Sequence, residues 1–437
     1  MLQAFVNIFK IPDLKKKIMA TLGIVAIYRI GCYVPTPGID GGKLAQFFEE
    51  LARTQGGTLF GIMNMFSGGA VERLTIFALG IMPYISASII LQLLTAVIPS
   101  LERLAKEGEM GHRKITQYTR YGTVILALIQ SFFISLWIED PARFGGLQIV
   151  QFPGWKFRAL TVLTLTSGTA FIMWLGEQIT EHGIGNGMSL LITIGIISRI
   201  PAAVTQLYYL LSPFDPARQQ LSGFTLILMS VMMVAVIVAV ILITQAARTI
   251  PVQYAKRIIG RKVYGGQNTY IPLRINQAGV IPIIFAQSII LFPATMAGLV
   301  PNPGLQSFVH LLMRGQLLYT ILYSILIIFF SFFYTAITMN PVDIADNMKK
   351  YGGFVPGVRP GKPTAEYFDY IITRITWPGA IFLAIIAIFP DFVGASLKIP
   401  YLVASFFGGT GLRIIVGVML DTMKQVESHL LMRHYEG

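Results

Sequence analysis

The stretch Leu74-Thr75-Ile76-Phe77-Ala78-Leu79-Gly80-Ile81-Met82-Pro83-Tyr84-Ile85-Ser86-Ala87-Ser88-Ile89-Ile90-Leu91-Gln92-Leu93-Leu94-Thr95-Ala96-Val97-Ile98 carries no charged residue, and Arg103 and Lys106 follow it. As an α-helix rising about 1.5 Å per residue, a run of this length covers the roughly 30 Å of hydrocarbon in a bilayer. It predicts a transmembrane helix. Further apolar segments recur at 18–34, 121–138, 160–175, 188–204, 224–246, 280–300, 317–339, 371–389 and 399–420, which makes ten in all. Composition agrees. Hydrophobic residues make up 54% of the 437 and charged residues 13%, against about 25% charged in a soluble domain. These figures exclude a soluble fold and predict an all-α polytopic membrane protein of ten transmembrane helices.

The basic residues set the orientation. Lys10, Lys15, Lys16 and Lys17 precede the first segment, and Arg103, Lys106, Arg113, Lys114 and Arg120 follow the second. Arg248, Lys256, Arg257, Arg261, Lys262 and Arg274 lie between the sixth and seventh, and Lys349, Lys350, Arg359, Lys362 and Arg374 between the eighth and ninth. All fall on one side if the segments alternate, and the positive-inside rule puts that side, with both termini, in the cytoplasm. The net charge of +13 is therefore first a matter of topology. The basic, amphipathic stretch 1–17 shows no small-residue cleavage site, so the first segment is expected to act as an uncleaved insertion signal. Cys32 is the single cysteine, which excludes an intrachain disulfide.

Two loops on the basic side, 247–277 and 340–370, are each about 30 residues long, beyond what a mere connector needs. Both mix basic, aromatic, Gly and Pro residues with enough Ile, Val, Tyr and Phe to form hairpins, which predicts ordered docking arms. The chain also repeats itself. Gly80-Ile81-Met82-Pro83-Tyr84-Ile85, then Ser88-Ile89-Ile90-Leu91, matches Gly279-Val280-Ile281-Pro282-Ile283-Ile284, then Ser288-Ile289-Ile290-Leu291, after one inserted residue. The blocks are an odd number of segments apart and so cross in opposite directions, the sign of an inverted-topology repeat. Glycine clusters (Gly183, Gly185, Gly187; Gly408, Gly409, Gly411) echo it before the fifth and within the tenth segment. Two halves follow, 1–204 with segments one to five and 205–437 with segments six to ten.

Enzyme chemistry finds no support. Gly361-Lys362 is followed by Pro363 and not by the Ser or Thr of a phosphate-binding loop. His112, His182, His310, His429 and His434 lack metal-ligand spacing, and there is no Gly-x-Ser-x-Gly elbow. No catalytic residue, cofactor or metal is expected, so any work across the membrane must be driven by a partner or a gradient. Ionisable residues within the segments are scarce: Arg29 near the end of the first, Glu177 and Glu181 beside the fourth, and Arg413 in the tenth. Arg413 is expected to face a wet cavity, with snorkelling or pairing to a carboxylate as the alternative. The stretch 56–69 holds a short apolar helix between glycines, too short to span. It is either interfacial or a re-entrant piece folded into a cavity, which a membrane tolerates only inside protein.

The motifs Asn64-Met65-Phe66-Ser67-Gly68-Gly69, Ala78-Leu79-Gly80-Ile81-Met82-Pro83-Tyr84-Ile85-Ser86-Ala87-Ser88, Gln117-Tyr118-Thr119-Arg120-Tyr121-Gly122, Trp174-Leu175-Gly176-Glu177-Gln178-Ile179-Thr180, Gly183-Ile184-Gly185-Asn186-Gly187, Ala278-Gly279-Val280-Ile281-Pro282 and Phe354-Val355-Pro356-Gly357-Val358-Arg359-Pro360-Gly361 occur in this order. In them the chain resembles the SecY family of bacterial protein-conducting channels. The resemblance implies two inverted halves arranged as a clamshell around an hourglass pore in the plasma (cell inner) membrane. It implies an aliphatic pore ring at Ile81, Ile85, Met188, Ile192, Ile284 and Ile414, with Met188 where isoleucine is commoner. It implies a plug, 57–69, whose apolar residues are Leu59, Phe60, Ile62, Met63, Met65 and Phe66. It implies a lateral gate with a polar cluster of Ser86, Gln130 and Asn276. Docking of the SecA motor and of ribosomal RNA falls on Lys256, Arg257, Arg261, Lys262 and Arg359. The implied partners are SecE and SecG, SecA, the ribosome, signal sequences and unfolded polypeptide, the lipid bilayer, and SecDF and YidC. Two other readings share the hydropathy: a secondary transporter of a small solute, which would need midplane ionisable groups, and a scaffold or insertase without a pore.

Overall fold

The computed structural model describes residues 12–54, 59–144, 146–211, 222–254, 257–259, 262–264, 268–299, 304, 311, 316–396 and 401–434. Helix α1 (Pro12–Gly31) leads to an amphipathic α2 (Gly41–Thr54) and a short α3 (Leu59–Phe66). The 74–98 run then departs from the single helix expected of it. Residues 74–81 fold as turns, and α4 occupies only Met82–Val97. Gly80 takes φ +57°, a left-handed conformation that glycine adopts without steric cost. Pro83 stands in the first turn of α4, where its missing N–H is no loss and its ring bars the helix from extending backwards. At Ile98 the chain bends by 100° into α5 (Pro99–Lys106).

Helix α6 (Glu109–Ile138) begins well before the apolar segment at 121 and carries Arg113, Lys114 and Arg120 on helix rather than loop. Helix α7 (Trp155–His182) likewise exceeds 160–175. The fifth segment is broken at Ser198-Arg199 into α8 (Gly187–Ile197) and α9 (Ile200–Leu211). Helix α10 (Gly223–Gln245) follows, N-capped by the Ser222 hydroxyl, which accepts from the Thr225 amide at 3.3 Å.

The first long loop forms strands β1 (Ala247–Tyr254), β2 (Arg257–Ile259), β3 (Lys262–Tyr264) and β4 (Asn268–Arg274), with β1–β4 and β2–β3 both antiparallel. Then come α11 (Ile281–Leu299), α12 (Leu317–Thr338) and α13 (Pro341–Lys350), the last N-capped by Asn340, whose Oδ1 accepts from the Val342 amide at 3.1 Å. The second long loop does not make the hairpin expected of it. Capping commits its first part to α13, and its single short strand β5 (Gly353–Phe354) pairs with β1, so the two loops share one sheet of order β4-β1-β5. Ile250, Val252, Leu273, Met348, Val355, Phe368 and Ile371 bury together beneath it. Helix α14 (Lys362–Ser396) follows, and the tenth segment is split by Phe407-Gly408-Gly409 into α15 (Tyr401–Phe406) and α16 (Thr410–His434).

Among the described residues, seven stretches of helix are long and apolar enough to cross a membrane, or eight if the bent α4–α5 pair is one span. The chain is thus a polytopic helical membrane protein. Its packing recurs along the chain. In the first half α4 packs on α6, α6 on α7, α7 on α8, and α1 on both α7 and α8. In the second half α11 packs on α12, α12 on α14, α14 on α15, and α10 on both α14 and α16. Across the halves α11 meets α4 and α6, and α8 meets α16. Gly279 repeats the left-handed geometry of Gly80, at φ +62°, just before Pro282 in α11.

Candidate functional site

Ile81 caps the start of α4, and Ile85 lies one turn further on. Met188 and Ile192 are one turn apart on α8 and share a face. Ile284 is in the first turns of α11, and Ile414 is on α16. The structure brings all six into one buried apolar cluster, at exposures of 4%, 6%, 9%, 3%, 5% and 0% respectively. The six come from four helices, α4, α8, α11 and α16, and their side chains offer no polar atom beyond one thioether. Ile81, Ile85 and Ile192 border a void of about 10 Å³ with Met63 and Phe66, about the room one water molecule needs. The Met188 sulfur lies in the notch left by Gly176 of α7, where a Cβ would collide with it. Thioether flexibility allows that fit where a β-branched residue would not follow it.

Arg413, beside Ile414, is 1% exposed. It is enclosed by protein and does not face an open aqueous cavity, and its Nε donates to the Gly409 carbonyl at 3.3 Å.

Helix α3 sits inside the bundle, which settles its choice between an interfacial and an enclosed position. Met63, Asn64, Met65 and Phe66 are all buried, and α3 packs on α8, α11 and α15. The Thr295 hydroxyl of α11 lies 3.6 Å from the sulfur of Met63. The side chains of Leu59, Phe60 and Ile62 lie outside the described set.

Of the polar cluster predicted for the gate, two members border one void. Ser86 of α4 and Gln130 of α6 are buried and border one void of about 10 Å³, whose other polar members are Ser288 and Thr295 of α11. Asn276 does not border it. Its Nδ2 donates to the Gly279 carbonyl at 3.0 Å and closes the turn that precedes α11. Sequence reasoning missed Ser288 and Thr295. The signal for Ser288 was present, since it belongs to the repeated Ser-Ile-Ile-Leu block.

Arg359 is exposed on the turn after β5, and its carbonyl accepts from the Thr364 hydroxyl at 2.7 Å. Arg257 and Lys262 start strands β2 and β3, their side chains outside the described set. Lys256 and Arg261 lie outside the described residues altogether.

Residues 75–423 match the family model described as SecY. Relatives described as protein translocase subunit SecY include that of Streptomyces galbus, 50% identical over 448 residues, covering 100% of this chain and 99% of the relative. That of Mycobacterium tuberculosis (strain ATCC 25618 / H37Rv) is 45% identical over 451 residues with the same coverage. A solved structure described as a protein conducting channel superposes with a TM-score of 0.65 over 95% of this chain and 92% of that one, at 17% identity. Sec61 in the canine ribosome-channel complex gives a TM-score of 0.60 over the same shares, at 16% identity. At such identities the structures establish a shared fold.

Proposed function

We propose, from the premise that this chain belongs to the SecY family and is a non-enzymatic protein-conducting channel, a gated passage for unfolded preproteins with a side exit for membrane proteins. The observation that supports the arrangement is that Ile81, Ile85, Met188, Ile192, Ile284 and Ile414, from four helices, all lie in one buried apolar cluster, which we read as the neck. Branched apolar side chains give water no hydrogen bonds, so a narrow neck of them dewets and stops ions. They also yield around a passing chain without binding it.

The whole chain then forms ten spans in two inverted halves, 1–204 and 205–437. The recurrent packing and the paired left-handed glycines Gly80 and Gly279 support the repeat. Both termini and the β-sheet loops face the cytoplasm of the inner membrane, as the basic residues favour. Helix α3 is the plug. SecE and SecG hold the assembly, and SecA or a translating ribosome drives it from the loops bearing Lys256, Arg257, Arg261, Lys262 and Arg359. SecDF and YidC join as further partners.

The lateral gate is the seam where α11 meets α4 and α6. A signal sequence opens it by separating Ser86 and Gln130 from Ser288 and Thr295. Interhelical polar contacts in a membrane contribute about 0.6 kcal/mol each. Ser86→Ala with Gln130→Leu, which removes two such groups and about 1.2 kcal/mol, is therefore expected to raise export of a preprotein with a defective signal sequence about eightfold. Asn276→Leu should not, since that side chain closes its own turn. Equal export by the double variant and the parent would refute the gate assignment.

The channel itself is tested by reconstituting the chain with SecE and SecA in vesicles. ATP is expected to drive a signal-bearing preprotein into protease protection, with a stalled chain crosslinking to probes at Ile85 and Ile284. An absence of protected product would overturn the reading.

A further inference from the structure

The exit from α3 is held from two sides by arginines that the pore does not use. Gly68 and Gly69 follow the helix with φ +67° and +93°. A Cβ at Gly68 would stand 2.9 Å from Arg29 Nη1, and one at Gly69 would stand 3.0 Å from Arg199 Nη1. Each guanidinium thus rests on a glycine at a place where a side chain would be both strained and crowded.

Arg29, on α1, donates from Nη1 to the Gly68 carbonyl at 3.3 Å and to the Ser198 hydroxyl at 3.0 Å, and from Nη2 to the Tyr33 hydroxyl at 3.2 Å. Arg199, in the break between α8 and α9, pairs through Nη1 with Glu72 Oε2 at 2.9 Å. The same carboxylate oxygen accepts from Asn64 Nδ2 of α3 at 2.8 Å, and the Glu72 amide donates to Asn64 Oδ1 at 3.1 Å. The side chains of Arg199 and Glu72 are only 21% and 24% exposed. A fully solvated ion pair would hold little. This one is largely shielded and closed by a further charge-assisted hydrogen bond, the stronger kind.

We infer that Arg29 and Arg199 form a latch that keeps α3 seated in the resting channel, Arg29 by gripping the hinge carbonyl and Arg199 by holding Asn64 through Glu72. The inference rests on reading α3 as the plug. Gly68-Gly69 is the pivot about which α3 would swing, and the latch ties that pivot to α1 and to the α8–α9 break. Plug release is thereby coupled to movement of α8, which carries Met188 and Ile192 of the neck. The latch adds a polar tie to the contact that α3 already makes with α8 through apolar packing.

The test reads the resting ion leak of the channel reconstituted with its partner subunits. Glu72→Gln and Arg199→Gln are each expected to raise it about fivefold or more. Glu72→Arg combined with Arg199→Glu should bring it back towards the parent value, because the swap restores the pair. Arg199→Lys keeps the charge and should hold most of the seal, which separates loss of the latch from loss of fold. Deletion of 59–66 serves as the second arm. If deletion leaves the leak unchanged, the plug reading fails and the latch with it. If deletion raises the leak while Glu72→Gln and Arg199→Gln leave it at the parent value, the plug stands and the latch is wrong. Failure of the charge swap to recover any of the seal also overturns the latch.

Discussion

Arg359→Glu is expected to cut SecA-driven import at least tenfold while leaving thermal stability almost unchanged. Arg359 is exposed on a turn between Gly357 and Gly361, which have φ values of +83° and +103°, and a Cβ at either glycine would meet no atom within 4 Å. Among the described residues no hydrogen bond or ion pair engages its guanidinium, and a surface change of this kind shifts stability by about 0.5 kcal/mol or less. The turn itself is built without the guanidinium. The Thr364 hydroxyl donates to the Arg359 carbonyl, and the Val358 amide to the Val355 carbonyl at 3.1 Å. A partner that contacts the guanidinium through a carboxylate would lose about 2 kcal/mol or more on charge reversal, hence the tenfold figure. ATP-dependent import into vesicles measures it, with SecA binding and a melting curve run beside it. Normal import by the variant would remove Arg359 from the docking site.

The second large effect concerns the neck. Ile85→Thr with Ile192→Thr is expected to raise chloride leakage through the resting channel at least tenfold. The two residues lie on different helices and border the same void, so two hydroxyls would add footholds for water on a wall that is mostly apolar. Ile85→Val with Ile192→Val is the control. It removes one methylene at each site, costs about 0.5–1.5 kcal/mol of stability each, and should leave the seal intact. Efflux from chloride-loaded vesicles reads both. Equal leakage from the threonine and valine pairs would mean that void size, and not polarity, sets the barrier.

Hydropathy was a good guide to where helices lie and a poor one to where they begin and end. The uncharged run 74–98 could not disclose that Gly80 and Pro83 divide it, because turns enclosed by protein are as apolar as the helix that follows. Nor could it separate α8 from α9, since that break falls on a single Ser198-Arg199 step. The six residues proposed for the neck could be named only through the family motifs, as each alone looks like ordinary packing. Asn276 shows another limit of the sequence. An asparagine near a helix start serves equally well as an interhelical contact or as the closure of its own turn, and only geometry decides. Ser288 was visible in the internal repeat, whereas Glu72 and Arg199 lie outside every repeated block.

The sheet shared by the two long loops has a mechanical consequence. Strand β1 runs directly from α10, β4 leads within a few residues to α11, and β5 lies between α13 and α14. The Ile275 amide donates to the Ala246 carbonyl at 2.9 Å, and a Cβ on Gly379 of α14 would stand 2.6 Å from the Ile275 carbonyl. The base of α11 is therefore clamped to the structure that bears Arg359. A push delivered there would pass through the shared sheet and this clamp to the helix that carries Ile284, Ser288 and Thr295.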